Sequence, residues 1–312
     1  MTRRIFRVGT RGSGLALAQT NEALAALRKA HPDREFEVVT VVTRGDLSPQ
    51  TALAALGRGA FVRELEAALL RNEVDLAVHS LKDLPTGQPE GVSIAAICRR
   101  HDPRDALVNR WRGSLEGLPS GARIGTSSPR RVALLKHLRP DVQALPIRGN
   151  VDTRVRKALG TEYDGAILAV AGLARLGLQD QIAQYLSPEV FVPEPGQGAL
   201  AIEVRADVGE VSRIVSCLEH TETRAAVTAE RACLELLGGG CQVPVAAYGR
   251  VQDSMLALIA MVATPDGARL ITASVSGPAS DPLGVARRAH AALVEQGAQD
   301  ILSQLSAPQT NP

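Results

Sequence analysis

Hydrophobic and polar positions alternate between strand-like and helix-like patterns in the first part of the chain. Apolar runs predict strands over Arg4–Thr10, Phe36–Thr43 and Val74–His79, separated by helix-like patterns over Ser13–Ala30 and Ala60–Asn72. The middle strand contains Val38-Val39 and Val41-Val42, so it is apolar on both faces, as expected of a strand between two layers of helices. This pattern predicts an α/β domain with a largely parallel sheet.

A second block of the same kind follows Pro103. Its predicted elements are a strand ending at Arg123–Gly125, a helix over Pro129–Leu138, a strand over Val142–Ile147, a helix over Val151–Leu159 and a strand over Ala166–Val170. Proline and glycine at Pro193-Glu194-Pro195-Gly196 predict a crossing, after which Ala199–Val204 is expected to return to the first domain as a strand. No internal repeat is evident between the two blocks.

The remainder of the chain predicts a different architecture. A helix over Thr221–Leu237 breaks at three glycines, two apolar strands over Leu256–Val262 and Leu270–Val275 flank a Pro265-Asp266-Gly267 turn, and a last helix covers about Pro282–Leu305. We therefore expect an α/β protein with two lobes and a small α+β C-terminal domain. The expected boundaries are residues 1–98 plus 199–217 for domain 1, 99–198 for domain 2 and 218–312 for domain 3.

Composition disfavours several classes of protein. The net charge is +2 and only 3% of the residues are aromatic, which argues against a nucleic-acid or anionic-membrane partner. The longest apolar run, Met255–Ala263, is far shorter than the ~18 residues that span a bilayer, and the basic N-terminus is not followed by a signal core. The four cysteines, Cys98, Cys217, Cys233 and Cys241, lack CxxC spacing. They are expected to be reduced thiols in a cytoplasmic protein, with no metal site.

Arginines and small residues recur where predicted strands turn into helices. Ser128 is a good N-cap before Pro129, and the first turn of that helix contains Arg130 and Arg131. These arginines oppose the helix dipole, so they indicate either an anion site or solvated side chains on a surface helix.

Two other turns have the same character. Arg148-Gly149-Asn150 precedes the helix that contains Arg154, and Arg11-Gly12-Ser13 precedes the first long helix. In open α/β sheets such turns lie at the carboxyl ends of strands, where ligands bind, which predicts a crevice for a carboxylate-rich or phosphate-rich ligand. None of the turns matches a nucleotide-binding fingerprint.

Two further segments contain candidate chemistry. Ser80-Leu81-Lys82-Asp83 follows a predicted strand and is either a solvated turn or a carboxylate held at the rim of the crevice. By strand alternation, His79 should point to the face opposite Ser80. Cys241 follows Gly238-Gly239-Gly240, which indicates either a thiol displayed for covalent attachment or an incidental free thiol.

Taken together, these segments resemble the hydroxymethylbilane synthase (porphobilinogen deaminase) family over nearly the whole chain. The matching stretches are Thr10–Ser13 with Leu15–Gln19, Val78–Pro85, Gly125–Arg131, Arg148–Arg154, Ala169–Leu173, Pro195–Gly198 and Gly239–Pro244. The resemblance implies two lobes like those of a periplasmic binding protein and a third domain that carries a cofactor loop. It also implies a monomeric transferase of tetrapyrrole biosynthesis that adds porphobilinogen units to a covalently bound dipyrromethane.

The resemblance also implies roles for individual residues. Cys241 would hold the dipyrromethane through a thioether, and Asp83 would be the catalytic carboxylate. The cofactor carboxylates would be held by Ser80, Lys82, Thr126, Ser127, Ser128, Arg130 and Arg131, and the substrate and growing chain by Arg11, Ser13, Gln19, Arg148, Arg154 and Arg175. The alternative function is a non-catalytic, two-lobed anion-binding protein, which would not explain a cysteine on a glycine loop.

Overall fold

A computed structural model describes residues 5–43, 62–238 and 243–306 of the chain. Contacts divide the chain into two compact units, each assembled from three separate segments. The first unit comprises Met1–Asp102, Ala171–Gly177 and Gln197–Arg224, and the second comprises Pro103–Val170, Leu178–Gly196 and Ala225–Pro312. Within the described residues, no helix has both the length and the apolar character needed to cross a bilayer.

The first unit contains a five-stranded mixed sheet. Its strands are β1 (Ile5–Thr10), β2 (Glu35–Thr40), β3 (Leu76–Ser80), β4 (Val92–Ile97) and β10 (Leu200–Arg205), and its helices include α1 (Gly14–Ala30), α2 (Arg63–Leu70) and α6 (Gly209–Val215). The strand order is β2-β1-β3-β10-β4, with β1 parallel to β2 and β3, and β10 antiparallel to both of its neighbours. The predicted return of Ala199–Val204 to the first sheet is thus confirmed.

Apolar side chains cover both faces of this sheet. On the edge strand β2, Val38 packs toward the cluster that includes Leu24 and Leu27 of α1, whereas Val39 packs toward the cluster that includes Leu65 of α2. The prediction that this strand is covered on both faces is confirmed, although its edge position leaves these valines partly exposed.

The second unit contains another five-stranded sheet of the same pattern. Its strands are β5 (Asp105–Asn109), β6 (Arg123–Gly125), β7 (Gln143–Leu145), β8 (Gly165–Ala169) and β9 (Gln184–Tyr185), in the order β7-β6-β8-β5-β9. Helices α3 (Pro129–Leu138) and α4 (Val151–Leu159) follow β6 and β7, and α5 (Val170–Arg175) follows β8. Strands β6, β7 and β8 are parallel, and β5 is antiparallel to both of its neighbours.

The C-terminal part of the second unit is an α+β layer. It comprises the part of α7 (Thr221–Leu236) that follows Arg224, the antiparallel strands β11 (Val245–Gln252), β12 (Met255–Ala263) and β13 (Leu270–Pro278), and helices α8 (Pro282–Glu295) and α9 (Ala298–Ser306). The expected last helix is therefore two helices, separated at Gly297, whose φ of 88° is unfavourable for other residues. Ala246 and Met261 pack into one apolar cluster with Leu107 of the second sheet and Leu134 of α3. The fold class predicted from the sequence is confirmed, while the three domain boundaries stay a prediction.

The two sheets share a local repeat that the sequence analysis missed. Arg7-Val8-Gly9-Thr10 of β1 corresponds to Arg123-Ile124-Gly125-Thr126 at β6. In the first sheet, Arg7 N and Nε donate to Asp75 Oδ2 at 2.8 and 3.1 Å; in the second, Arg123 N and Nε donate to Asp164 Oδ2 at 2.9 and 3.0 Å. The repeat escapes notice because only the arginine, the Gly-Thr pair and a distant aspartate are shared.

A cluster of ionisable groups is buried on the α2 face of the first sheet. Glu66 of α2, His79 of β3 and Glu203 of β10 are 9%, 5% and 1% exposed. Burial and the nearby Glu203 carboxylate raise the pKa of Glu66 above its ordinary value, against the opposing effects of His79 and Arg63. The folded protein therefore holds the Glu66 proton more tightly than the unfolded chain does.

This pKa shift predicts how Glu66→Gln changes stability with pH. The contribution of Glu66 is fully present below its unfolded pKa and is lost as the pH rises through the raised folded pKa. Glutamine does not ionise, so Glu66→Gln lacks this loss. Its free energy of unfolding should therefore rise relative to that of the unsubstituted protein as the pH increases from the unfolded to the folded pKa of Glu66. Urea denaturation at a series of pH values checks this, with Glu37→Gln on the exposed side of β2 as the control. Identical pH dependence in the two variants would contradict the prediction.

Candidate active site

The end of β3 presents a carboxylate on an anchored turn. Strand β3 is buried up to His79, and a 3-10 turn follows over Leu81–Asp83. Leu81 and Leu84 are buried, and Leu81 N donates to Ala199 O at 3.0 Å, which attaches the turn to the segment leading into β10. Asp83 is exposed between these two leucines. Two buried leucines therefore anchor the turn, and Asp83 is exposed at its surface.

Polar side chains gather around this turn. Gln19 Nε2 of α1 donates to Ser80 Oγ at 2.6 Å, and Lys82 Nζ donates to Gln197 Oε1 at 3.2 Å. The structure thus brings Gln19, Ser80 and Lys82 to the neighbourhood of Asp83. Ser80 faces α1 while His79 faces Glu203 of β10, so the predicted opposition of these two side chains is confirmed. Sequence reasoning did not select Gln197, although it lies within the quoted Pro195–Gly198 stretch and is fully buried.

The turn after β1 lies at the same edge of the first sheet. Strands β1 and β3 are parallel neighbours, so Thr10 and Ser80 end at the same side. Ser13 is the N-cap of α1, and its Oγ accepts from Ala16 N at 3.3 Å. Arg11 is half-buried beside it. This edge therefore combines the Asp83 carboxylate, the cations Arg11 and Lys82, and the N-terminus of α1.

Arg175 occupies a different environment from the one expected of a ligand-binding arginine. Its side chain is only 4% exposed, its Nε lies 2.8 Å from Glu22 Oε2, and its Nη2 donates to Gly198 O at 3.3 Å. The other oxygen of Glu22 lies 3.1 Å from His101 Nε2. A substrate carboxylate at Arg175 would have to share the guanidinium with Glu22, a residue that sequence reasoning missed because it lies 153 positions away.

In the second unit, three hydroxyl groups shape the start of α3. Ser128 is the N-cap, with its Oγ accepting from Arg131 N at 3.4 Å, and Pro129 occupies the first turn as predicted. Ser127 Oγ donates to Ile147 O at 2.9 Å and accepts from Ile147 N at 3.1 Å. Thr126 is buried, and its Oγ1 accepts from Ser128 N at 3.3 Å. The Ser127 hydroxyl joins the turn after β6 to the segment after β7, and the other two hydroxyls fix the backbone at the start of α3.

Arg130 and Arg131 are interior residues, so the alternative of solvated side chains on a surface helix is wrong. They are 3% and 6% exposed, and both bind Asp105 of β5. Arg130 Nη1 lies 2.7 Å from Asp105 Oδ2, and Arg131 Nη2 lies 2.7 Å from Asp105 Oδ1. Asp105 was missed because the strand that contains it was not predicted. Two buried guanidinium groups share one carboxylate, which leaves a net positive charge.

Arg130 retains donors for an additional acceptor. Its Nε and Nη2 are buried and have no hydrogen-bond partner among the described residues. Buried donors without a partner are costly, and a carboxylate would satisfy both the geometry of the guanidinium and the excess positive charge. These residues therefore fit a carboxylate-bearing group at the start of α3.

The arginines after β7 form the last part of the candidate site. Arg148 is half-buried, and Arg154 Nε donates to Gly149 O at 2.8 Å. Gly149 has a φ of 107°, and a Cβ there would lie 2.7 Å from Thr153, so the turn requires glycine. Because β6 and β7 are parallel, this turn and the start of α3 lie at the same edge of the second sheet. Cys241 lies outside the described residues.

Comparisons with known proteins identify the family. A family model described as porphobilinogen deaminase, dipyromethane cofactor binding domain, matches residues 6–213. A second, described as porphobilinogen deaminase, C-terminal domain, matches residues 224–295. The chain belongs to the porphobilinogen deaminase family. The resemblance inferred from the sequence motifs is confirmed.

Relatives in this family align over nearly their full length. The porphobilinogen deaminase of Desulforudis audaxviator is 48% identical over 306 residues, which cover 98% of this chain and 99% of the relative. That of Synechococcus elongatus is 47% identical over 308 residues, covering 97% and 96%. Among solved structures, a nutrient-binding protein from Burkholderia cenocepacia bound to methionine is similar at 14% identity and a TM-score of 0.44, covering 70% of this chain and 93% of that one. At this TM-score the fold assignment depends on the sheets described above.

The buried Asp105 pair predicts a large effect on stability. Asp105→Asn removes the carboxylate that two buried guanidinium groups bind, and breaking a buried pair in this way typically costs about 3–5 kcal/mol. Denaturant unfolding measures this loss. Asp152→Asn is the matched control, because its contact with Arg156 joins two exposed side chains, 60% and 76% exposed, and should have little effect. Equal effects of the two substitutions would show that the buried pair contributes no more than an exposed one.

Proposed function

We propose that this chain is a hydroxymethylbilane synthase, a transferase of tetrapyrrole biosynthesis. It condenses four porphobilinogen molecules with loss of ammonia and then releases hydroxymethylbilane by hydrolysis. Membership of the porphobilinogen deaminase family supports this activity. The structural observation that supports it best is the exposed Asp83 carboxylate on a turn anchored by Leu81 and Leu84.

The cofactor in this proposal is a dipyrromethane bound to Cys241 through a thioether. When bound, it supplies the pyrrole carbon to which the first substrate unit is added. In the first unit, Ser80 and Lys82 would bind its acetate and propionate groups. In the second unit, the residues that bind these groups would be Thr126, Ser127, Ser128, Arg130 and Arg131. The unpartnered Arg130 donors and the excess positive charge around Asp105 support this assignment.

Asp83 is the proposed catalytic residue. When the carbon–nitrogen bond of porphobilinogen breaks, ammonia leaves with the bonding electrons and a cation remains on the pyrrole. A fixed carboxylate stabilises that cation, and it can accept the proton that is released when the new carbon–carbon bond forms. Lys82, next to Asp83, contributes positive charge for substrate carboxylates, and its contact with Gln197 limits its motion.

The remaining cations match the chemistry of the substrate. Each pyrrole unit brings two carboxylates, so a chain of several units requires several arginines. We assign Arg11, Ser13, Gln19, Arg148, Arg154 and Arg175 to the substrate and the growing chain. Bidentate binding of carboxylates suits arginine better than lysine. The Glu22–Arg175 contact implies that Arg175 receives a substrate carboxylate only in exchange for part of that ion pair.

We also infer a monomer in the cytoplasm. The three described cysteines, Cys98, Cys217 and Cys233, are free thiols, which fits a reducing compartment. A reducing compartment would also preserve the thiol of Cys241 for attachment.

The covalent cofactor is tested by mass. The denatured protein should exceed its sequence mass by two linked pyrrole units, and Cys241→Ser should lack that increment. Cys233→Ser is the matched control, because Cys233 is a buried thiol of α7 and should leave the increment unchanged. An unmodified but fully active protein would refute the covalent attachment.

The role of Asp83 is tested by removing its charge. Asp83→Asn should lower kcat by about 10²–10³ with a smaller change in KM, because the lost interaction is made chiefly in the transition state. Asp83→Glu, which keeps the charge but displaces it, should retain more activity. Asp207→Asn, an exposed aspartate near Arg205, serves as the control. Near-normal kcat in Asp83→Asn would move the catalytic assignment elsewhere.

A further inference from the structure

A buried carboxylate of β10 contacts a residue on each side of the turn that contains Asp83. The Glu203 side chain is 1% exposed, and its Oε2 lies 3.0 Å from Nε2 of His79, whose side chain is 4% exposed. His79 immediately precedes Ser80, where β3 ends and the turn begins. The two atoms are close, but the contact does not satisfy hydrogen-bond geometry.

The same carboxylate reaches the chain on the other side of the turn. Gln88 Nε2 lies 3.5 Å from Glu203 Oε1, at the long limit of a hydrogen bond. One side chain of β10 thus contacts His79 before Asp83 and Gln88 after it. Together with the bond from Leu81 N to Ala199 O, these contacts attach the whole turn to β10 and the residue that precedes it.

Strand β10 is irregular at this position. The pairing of β10 with β4 shifts register between Ile202 and Glu203, while Glu203 stays opposite Ala77 in the pairing with β3. Irregularities of this kind redirect a side chain locally. Here the irregularity coincides with Glu203, which contacts both sides of the turn.

A contribution to stability does not explain why a carboxylate occupies position 203. Replacing a buried ion pair by apolar residues of similar volume is often neutral or stabilising. The neighbouring Glu66 carboxyl adds repulsion on the same face of the sheet, where Leu65 and Leu69 would favour an apolar side chain. A geometric role explains the cost better.

We propose that Glu203 and His79 form a buried positioning pair that sets the location of the Asp83 carboxylate for the reaction. The proposal rests on the catalytic role assigned to Asp83 above. The pair links the His79 side chain to β10 in addition to the backbone ladder that joins the two strands, and Asp83 follows four residues after His79 on a short turn. Displacement of a reacting group by about 1 Å costs on the order of 100-fold in rate, so the pair acts on catalysis without touching substrate.

The experiment measures kcat, KM and thermal unfolding of Glu203→Gln, alone and combined with Asp83→Asn. Glutamine keeps the shape and removes the charge that faces His79. We expect Glu203→Gln to lower kcat by about 10–100-fold with little change in KM. We expect Asp83→Asn combined with Glu203→Gln to be no slower than Asp83→Asn alone, because the effect of Glu203 passes through Asp83.

Glu66→Gln is the matched control, because it neutralises a carboxyl of the same buried cluster that has no described contact with the turn; its kcat should be normal. Normal kcat in Glu203→Gln, with Asp83→Asn impaired, would overturn the positioning pair and leave the proposed function intact. Independent, multiplying losses in the double variant would also overturn it. Near-normal kcat in Asp83→Asn would instead refute the catalytic role of Asp83, and the pair with it.

Glu203→Asp provides a second route if Glu203→Gln does not fold. It keeps the charge and shortens the side chain, so its kcat should fall below that of the unsubstituted protein with little change in KM. Normal kcat in a folded Glu203→Asp would overturn the positioning pair. If neither variant yields folded protein, Glu203 is a determinant of folding and the positioning proposal is rejected.

Discussion

A strand that is covered by helices on both faces carries polar side chains at low cost only where it ends. In keeping with this constraint, many polar residues gather in the turns that follow strands β1 and β3 of the first unit and β6 of the second. Arg11, Ser80 and Asp83 are at one edge of the first sheet, and the hydroxyls of Thr126 and Ser128 are at the corresponding edge of the second. Parallel pairing brings each set together because parallel strands end on the same side.

The buried charges depart from this constraint, and their signs differ between the two units. In the second unit, Arg130 and Arg131 share the single carboxylate of Asp105, which leaves an excess of positive charge. In the first unit, Glu66 and Glu203 are buried near the imidazole of His79, so among these three groups the carboxyls are in excess. The positive excess adjoins the start of α3, which is proposed to bind cofactor carboxylates. The carboxyl-rich cluster includes His79, four residues before Asp83, which is proposed to stabilise a substrate cation.

The repeated Arg-Asp contact shows how one local solution serves both sheets. In each, an arginine of the central parallel strand donates its backbone N–H and its Nε to an aspartate that immediately precedes the neighbouring parallel strand. This contact aligns two parallel strands at their amino ends. Their carboxyl ends remain available for turns of different chemistry, with Arg11 and Ser13 in one unit and Ser127 and Ser128 in the other.

Local signals in the sequence determined much of the fold and the candidate site. Periodicity and capping residues were sufficient for α1, α3 and α4 and for the strands that precede them, and the motifs located Asp83, Ser80 and Lys82 at a strand end. Strands β4, β5 and β11 and helix α6 were missed, and with β5 the partner of both buried arginines. Only the tertiary structure decided which ionisable side chains meet. Asp105 lies 25 positions from Arg130, and Glu22 lies 153 positions from Arg175. Glu203 meets His79 because β10 returns to pair with β3 as an antiparallel strand. The reason is physical. Capping and periodicity act over a few residues and leave a local pattern, whereas the pairing of buried charges depends on strand order and register, which no short stretch of sequence contains.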